Sequence, residues 1–131
     1  MKRILNNTQR ISLPANLFGV HFPFRVEPFV YNMAGRLSSD YNGGYWEMFV
    51  LDNGGFYMAP NSDTCQVLCQ NGFQGTLSED AFGITVCLYA YSELSFSKIP
   101  KLAETCAEQY HLLREHIFEH EEAKAILGAI D

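Results

Sequence analysis

The sequence predicts an α+β fold, in which a small antiparallel sheet of about three strands with a central hairpin packs against three or four helices. Two kinds of pattern predict it. An aromatic-rich segment with a glycine turn at its centre is typical of a β-hairpin, and several segments carry apolar residues at helical spacing. The 131 residues fit one domain, residues 1–131.

The first two elements are an irregular arm and a helix. Residues 1–24 contain two prolines and no sustained apolar period, which predicts a partly irregular N-terminal arm that wraps the domain. Residues 25–40 predict a helix with Pro28 in its first turn, because proline fits only there. Its apolar stripe comprises Val26, Phe29, Val30, Met33, Ala34 and Leu37.

Residues 45–60 predict a hairpin. The pair Asn53-Gly54 favours a two-residue type I′ turn, since both turn residues need a positive φ. That loop would place Leu51 opposite Phe56 and Val50 opposite Tyr57. Both faces of the hairpin are then mostly apolar, so we expect both to be covered, by the protein's own helices or by a second protein.

A third strand is predicted at residues 64–70, where Cys65, Val67 and Cys69 alternate with mostly polar residues. A glycine-bearing loop is expected at residues 71–76.

Three further helices complete the predicted fold. The first begins after Ser78 as N-cap, runs to about Leu94 and has almost no polar face, which indicates burial among its neighbours. Within it, Gly83 predicts a close backbone crossing. The second begins at Pro100, and a final short helix starts at about Glu121.

Composition excludes several classes of function. A net charge of −6 argues against binding of the protein to the phosphate backbone of DNA. The negative charge of fifteen acidic residues, offset by nine basic ones, is also too sparse to mimic the charge of a DNA duplex. No signal peptide or apolar run of about 18 residues is present, which favours a cytoplasmic protein. The four cysteines are then expected to be reduced thiols.

One catalytic alternative remains open. His116, Glu119 and His120 match the H-x-x-E-H pattern, in which two histidines four apart on a helix hold zinc and the glutamate acts as general base. A metal-dependent hydrolase is therefore the alternative function, although no third ligand is evident and a solvated helix end is the commoner outcome. A cysteine nucleophile is disfavoured, because Cys87 lies in the most apolar segment.

Two motifs carry a family resemblance. The segment Tyr-x-Gly-Gly-Tyr-Trp at 41–46 and the segment Leu-x-Asn-Gly-Gly-Phe-Tyr-Met-Ala-Pro at 51–60 resemble the ArdB/KlcA antirestriction family. Further agreement extends over most of the chain and is thinnest at residues 1–9 and 61–75. The sequence departs from the family at His120-Glu121, where relatives tend to have His-Pro.

The resemblance implies a small α+β protein encoded on plasmids or other mobile DNA. Such a protein would protect incoming DNA by blocking cleavage by host type I restriction-modification enzymes while sparing modification, without being an enzyme, a DNA mimic or a cofactor binder. The expected partner is the type I complex or an associated host factor, with no stable DNA or membrane binding and a monomeric or weakly dimeric state. We hypothesise that the hairpin forms or supports the partner-binding surface, through Tyr45, Trp46, Asn53, Gly54, Gly55 and Tyr57.

Overall fold

The computed structural model describes residues 1–61 and 64–131. In those ranges the chain forms five α-helices, one π-helix and five strands. In order they are β1 (Lys2–Ile4), α1 (Asn7–Phe18), the π-helix (Phe22–Val26), α2 (Glu27–Leu37), β2 (Trp46–Leu51), β3 (Phe56–Pro60), β4 (Cys65–Leu68), β5 (Gln74–Leu77), α3 (Glu79–Leu94), α4 (Pro100–Ile117) and α5 (Ala123–Ile130).

The predicted α+β class is confirmed, with a different strand assignment. The hairpin β2–β3 sits in a three-stranded antiparallel sheet of order β1-β2-β3, and β4 and β5 form a separate antiparallel pair. The third strand of the main sheet is therefore β1, not the segment at 64–70. Residues 71–76 were predicted as a loop, but β5 begins within them.

The prediction of an irregular arm at residues 1–24 is wrong, since this segment contains β1, α1 and part of the π-helix. A capping box starts α1: the Asn6 side chain accepts the Gln9 N–H at 2.9 Å, and the Gln9 side chain accepts the Asn6 N–H at 3.0 Å. Pro14 lies inside α1 and is buried, so packing of its ring offsets the hydrogen bond it cannot donate.

The predicted helix at residues 25–40 is confirmed as α2, which begins two residues later, because Arg25 and Val26 belong to the π-helix, and ends three residues earlier. Pro28 occupies the first turn, and the buried residues of α2 belong to the predicted stripe: Val30, Met33, Ala34 and Leu37.

The hairpin turn differs from the prediction by one residue. The Leu51 N–H donates to the Gly55 carbonyl at 2.8 Å and the Gly54 N–H donates to the Leu51 carbonyl at 3.0 Å, which makes a three-residue loop. Gly54 has a φ of 92°, whereas Asn53 keeps a negative φ. In that conformation the Asn53 side chain accepts the Gly55 N–H at 2.9 Å. The turn is therefore not of type I′, which would need a positive φ at Asn53 as well as at Gly54.

The longer loop changes which residues share a face. Val50 is paired with Phe56 and Phe49 with Tyr57, instead of Leu51 with Phe56 and Val50 with Tyr57. Because side chains alternate with a period of two, this shift moves Phe56 to the other face of the sheet relative to the prediction. The rings of Phe49 and Tyr57 now stack with their centroids 4.9 Å apart.

Helices of the same chain cover the hairpin. On one face, the Phe56 ring contacts the rings of Phe18 and Phe22 at 6.2 and 5.9 Å. On the outer edge of β3, the Phe56 N–H donates to Gln109 at 2.7 Å and the Phe56 carbonyl accepts from the Tyr91 hydroxyl at 2.6 Å. Side chains of α3 and α4 thus satisfy backbone groups that a fourth strand would otherwise pair.

The three C-terminal helices follow the sequence closely. The Ser78 hydroxyl accepts the Ala81 N–H at 3.2 Å, which confirms the predicted cap, and α3 ends at Leu94. Pro100 is the first residue of α4, and α5 begins at Ala123.

Among the described residues, no helix combines the length and the apolarity that spanning a bilayer requires.

Candidate protein-interaction site

The six hairpin residues predicted to bind a partner divide into two groups. Tyr45, Asn53 and Gly54 are exposed, whereas Trp46, Gly55 and Tyr57 are buried. In this conformation only the first group can touch another protein directly, and the second can act only by holding the first in place.

Tyr45 lies beside α1. Its side chain is 53% exposed, and the guanidinium carbon of Arg10 sits 4.6 Å from the centre of its ring. Arg10 also donates a 2.7 Å hydrogen bond to the carbonyl of Trp46. One arginine therefore links the start of the hairpin to the N-terminal helix and keeps an aromatic ring at the surface.

Trp46 is a core residue. Its indole N–H donates to the Tyr41 hydroxyl at 3.0 Å, and its ring makes edge contacts with the rings of Tyr31 and Tyr41 at 5.5 and 5.7 Å. With its polar atom paired and 2% of its surface exposed, Trp46 anchors the hairpin to α2 and the segment that follows it.

The hairpin turn is held against α4. The Asn53 amide donates to the Leu112 carbonyl at 2.9 Å, while its oxygen accepts the Gly55 N–H. A Cβ on Gly55 would lie 3.0 Å from a Leu51 methyl carbon and 3.3 Å from the Leu112 Cβ. The turn is thus packed closely on one side, and Asn53 and Gly54 occupy a fixed position at the surface.

Below the turn lies a polar cluster that the sequence did not reveal. Its centre is Asp80, which accepts hydrogen bonds from the Tyr57 hydroxyl at 2.6 Å and from Lys2 Nζ at 2.7 Å. His120 Nε2 is 2.8 Å from the second carboxylate oxygen of Asp80. The cluster joins β1, β3, α3 and the α4–α5 turn, whose residues are too far apart in sequence for spacing to have linked them.

The electrostatics of the cluster favour a charged Asp80. Burial raises the pKa of its carboxyl, but hydrogen bonds from His120, Lys2 and Tyr57 outweigh burial and hold it well below its usual value. Burial and the bond to Asp80 raise the pKa of Tyr57 far above its ordinary value, so its hydroxyl stays a donor. Burial lowers the pKa of His116, and the neighbouring His120 lowers it further.

The H-x-x-E-H pattern does not form the arrangement that zinc would need. Helix α4 ends at Ile117, so His116 and His120 do not share a helical face, and their ring centres are 6.3 Å apart at an interplanar angle of 86°. His120 Nδ1 accepts the Glu122 N–H at 2.9 Å while its Nε2 faces Asp80, so both ring nitrogens are engaged. Within residues 1–61 and 64–131, no three His, Cys, Asp or Glu side chains are placed to hold a metal ion.

The four cysteines are buried free thiols. Burial raises the pKa of the Cys87 thiol and that of the Cys106 thiol to about 12, which leaves almost no thiolate near neutral pH. Neither therefore has the reactivity of a nucleophile.

Comparison with known proteins identifies the family. A family model described as antirestriction protein matches residues 39–131 of the chain. The chain belongs to the antirestriction protein family. The matched segment contains the whole β2–β3 hairpin, including the turn that packs on α4, and every residue of the Asp80 cluster except Lys2.

Two relatives of this chain come from Escherichia coli, and both are called antirestriction protein KlcA. One is 37% identical over 131 residues, which cover 98% of this chain and 92% of the relative. The other is 42% identical over 110 residues, which cover 82% of this chain and 75% of the relative.

A solved structure of the same family has the same fold. It matches with a TM-score of 0.90 and 36% identity, over 100% of this chain and 94% of that one. That structure is described as showing that the KlcA and ArdB proteins have a novel fold and antirestriction activity against type I DNA restriction systems in vivo but not in vitro.

A cleft of about 270 Å³ lies between the hairpin turn and α4 in this member of the family. Asp52 and Asn53 line it from the turn, and Met1, Glu115, His116 and Glu119 also line it. The Met1 ammonium lies 3.2 Å from an Asp52 carboxylate oxygen and 3.9 Å from a Glu119 carboxylate oxygen, so two of the three carboxylates of the cleft already face a cation.

Proposed function

We propose that this protein protects incoming DNA from cleavage by host type I restriction enzymes and leaves modification intact. The observation that carries the proposal is the agreement with the KlcA and ArdB structure along the whole chain, together with the activity described for those proteins. At 36% identity the same helices and strands recur, so this chain can present the same kind of surface.

The protein acts through contacts with another polypeptide. Its net charge of −6 does not supply the cationic footprint that binds DNA, nor the dense array of negative charge that would imitate a duplex. The engaged nitrogens of His120 and the raised thiol pKa values support a binding role instead of catalysis, and the role needs no cofactor.

The partner is the type I complex or a host factor associated with it. The KlcA and ArdB proteins are described as active in vivo but not in vitro, and a similar protein that needs a cellular component would behave in that way. We therefore expect this chain, too, to protect DNA in cells and to leave the purified restriction enzyme uninhibited.

The hairpin supplies one part of the binding surface. Tyr45, Asn53 and Gly54 are the residues that can be reached, and their positions depend on Arg10 and on the Leu112 carbonyl. Trp46, Gly55 and Tyr57 support that surface from within the fold.

The test compares phage growth in cells that carry a type I system. Unmodified phage should form many more plaques when this protein is expressed, whereas growth in cells without the system should not change. Phage recovered from the protected cells should carry normal modification, which methylation-sensitive digestion of their DNA measures. Absence of any gain in plaques, with the folded protein present, would refute the proposal.

A second experiment tests the hairpin. Tyr45→Ser and Asn53→Ala change exposed side chains and should reduce protection, while Phe96→Ser changes an 85% exposed residue elsewhere and should not. Circular dichroism of each variant establishes that it is folded. Full protection by both hairpin variants would remove this surface from the mechanism.

A further inference from the structure

Three asparagines of this chain are followed by glycine, in the pairs Asn42-Gly43, Asn53-Gly54 and Asn71-Gly72. Because glycine has no Cβ, its backbone nitrogen can approach the side chain of the preceding asparagine closely. Attack of that nitrogen on the side-chain amide carbon releases ammonia, which is the first step of spontaneous deamidation. The sequence therefore offers three candidate sites for this modification.

The three pairs are alike in exposure and in backbone conformation. Each asparagine is exposed. The glycines have φ angles of 99°, 92° and 91° in chain order. Since neither property separates the pairs, a difference in reactivity has to come from the hydrogen bonds that each pair makes.

The β2–β3 turn holds Asn53-Gly54 in an unreactive arrangement. The Asn53 amide nitrogen donates to the Leu112 carbonyl and its oxygen accepts the Gly55 N–H, both at 2.9 Å. The Gly54 N–H, which carries the attacking nitrogen, donates to the Leu51 carbonyl at 3.0 Å. Attack uses both the amide and this nitrogen, so these bonds must break first.

The β4–β5 turn repeats this arrangement at Asn71-Gly72. The Asn71 amide nitrogen donates to the Gly128 and Ala129 carbonyls of α5 at 3.0 and 3.2 Å, and its oxygen accepts the Phe73 N–H at 2.9 Å. The Gly72 N–H donates to the Cys69 carbonyl at 3.0 Å. Two turns of the same form, each fixed to a C-terminal helix, thus protect both asparagines.

Asn42-Gly43 lacks this protection. The pair lies in residues 41–45, which belong to neither a helix nor a strand. Over the described ranges 1–61 and 64–131, no hydrogen bond engages the Asn42 amide or the Gly43 N–H. A Cβ on Gly43 would meet nothing within 4 Å, so open space surrounds the pair. The attacking nitrogen and the amide that it attacks are therefore free to meet.

We propose that Asn42 is a site of spontaneous deamidation, with water as the other reactant. The Gly43 nitrogen loses its proton to hydroxide and bonds to the Asn42 Cγ, while the bond from Cγ to the amide nitrogen breaks and that nitrogen leaves as ammonia with a proton from water. Water then opens the cyclic imide. Cleavage between the Gly43 nitrogen and Cγ gives aspartate, and cleavage between that nitrogen and the backbone carbonyl carbon gives isoaspartate.

Both products change the segment that leads into the hairpin. Each adds a negative charge close in sequence to the exposed Tyr45. Isoaspartate also inserts the Cβ atom into the main chain between Tyr41 and Trp46, whose side chains share a 3.0 Å hydrogen bond and an edge contact at 5.7 Å. A longer connection should loosen that contact, so isoaspartate is the product that disturbs the fold locally.

The first experiment incubates the purified full chain in mildly alkaline buffer, with a second sample unfolded in guanidinium chloride. Chymotryptic digestion and mass spectrometry follow the conversion of each amide to a carboxylate. In the folded protein, Asn42 should react at least about tenfold faster than Asn53 and Asn71, which must first lose several hydrogen bonds. In the unfolded protein the three rates should become similar. Equal rates in the folded protein, or an Asn42 that reacts no faster than the other two, would overturn the proposal.

Asn42→Gln is the matched variant, because it keeps an exposed amide but requires a larger ring for the same attack. Isoaspartyl methyltransferase, which transfers a labelled methyl group to isoaspartate, measures that product after incubation. The variant should lose most of the label, whereas the rates at Asn53 and Asn71 should not change. As much label in the variant as in the unsubstituted protein would overturn the assignment to Asn42.

Trp46 is the single tryptophan of the chain and reports the effect on the backbone. Its side chain is 2% exposed, so its fluorescence should shift to longer wavelength as isoaspartate accumulates and the indole becomes more solvated. Asn42→Asp adds the charge without lengthening the main chain and should keep the original emission, as should incubated Asn42→Gln. An unchanged emission from protein rich in isoaspartate, or an equal shift in Asn42→Asp, would overturn the effect assigned to the longer main chain.

Discussion

Gly83 of α3 provides the sharpest test of how the hairpin is held in the fold. A Cβ at this position would lie 2.4 Å from the Ala59 Cβ and from the Met58 carbonyl oxygen, and 2.5 Å from the Ala59 Cα. Ordinary contact begins at 3.4 Å, so Gly83→Ala requires a separation of about 1 Å between α3 and β3. Backbone atoms of β3 cannot yield in the way that the end of a flexible side chain can.

The expected magnitude combines two opposing terms. Overpacking costs about 1–3 kcal/mol and more where the neighbours are rigid, whereas alanine in place of glycine gains about 1 kcal/mol within a helix. Because the contacts at Gly83 involve backbone on the strand side, we expect the cost to be at the top of its range or beyond. The free energy of unfolding should therefore fall by about 2 kcal/mol or more.

Gly35 is the matched control. It lies in α2, and a Cβ there would meet nothing within 4 Å. Gly35→Ala should raise the free energy of unfolding by about 0.5–1 kcal/mol through the same helical preference. The two substitutions are chemically identical, so their opposite signs isolate the contact with β3.

Urea denaturation followed by circular dichroism measures both effects, provided that the slope of the unfolding free energy against urea concentration is the same for the variants and the unsubstituted protein. The double variant Gly83→Ala/Ala59→Gly should recover only part of the loss, because the Met58 carbonyl oxygen would still lie 2.4 Å from the new Cβ. A Gly83→Ala protein as stable as the unsubstituted one would refute the close approach of α3 to β3.

Three further predictions concern polar contacts. Gln109→Leu leaves the Phe56 N–H and the Gly54 carbonyl without their partner and should lower the free energy of unfolding by about 2–3 kcal/mol, measured by urea denaturation; a loss under about 0.5 kcal/mol would contradict the assigned bonds. Asn53→Ala should cost about 1 kcal/mol by the same measurement, since it removes both the Gly55 and the Leu112 contacts, and no change would show that the turn does not need them. The pKa of Asp80 in the folded protein lies below its unfolded value of about 3.9, so the stability that Asp80 contributes is present above pH 3.9 and is lost as the pH falls below it. Thermal unfolding measured at a series of acidic pH values should therefore show a smaller fall in Tm for Asp80→Asn than for the unsubstituted protein. Parallel plots of Tm against pH for the two proteins would contradict the assigned contacts of Asp80.

Most of the fold could be predicted from local sequence. Ser78 and Pro100 mark helix starts through backbone chemistry that acts within a few residues, and the apolar stripe of α2 requires only the helical period. The capping box of Asn6 and Gln9 was a readable local signal for α1 that the two prolines obscured. The strand at 74–77 gave little signal, because its four residues include a glycine.

The site was less predictable, since exposure depends on what the rest of the chain covers. Trp46 and Tyr57 looked like candidates for a binding surface because aromatic residues favour interfaces, yet both are buried. The Asp80 cluster joins residues 78, 23 and 40 positions away from Asp80, and no short-range pattern identifies such pairs.

The sequence by itself determined the family, the α+β class, the helix boundaries after Ser78 and the lack of a cationic footprint for DNA. These follow from local propensity, motif identity and charge, which need no knowledge of distant neighbours. Only the tertiary structure shows the hairpin register, in which Asn53 bonds both the Gly55 N–H and the Leu112 carbonyl of α4, and it brings Lys2, Tyr57 and His120 onto Asp80. It also decided that Pro14 and Phe18 of α1 are buried while Ile11 and Ala15 are exposed, because only packing determines which side of a helix remains at the surface.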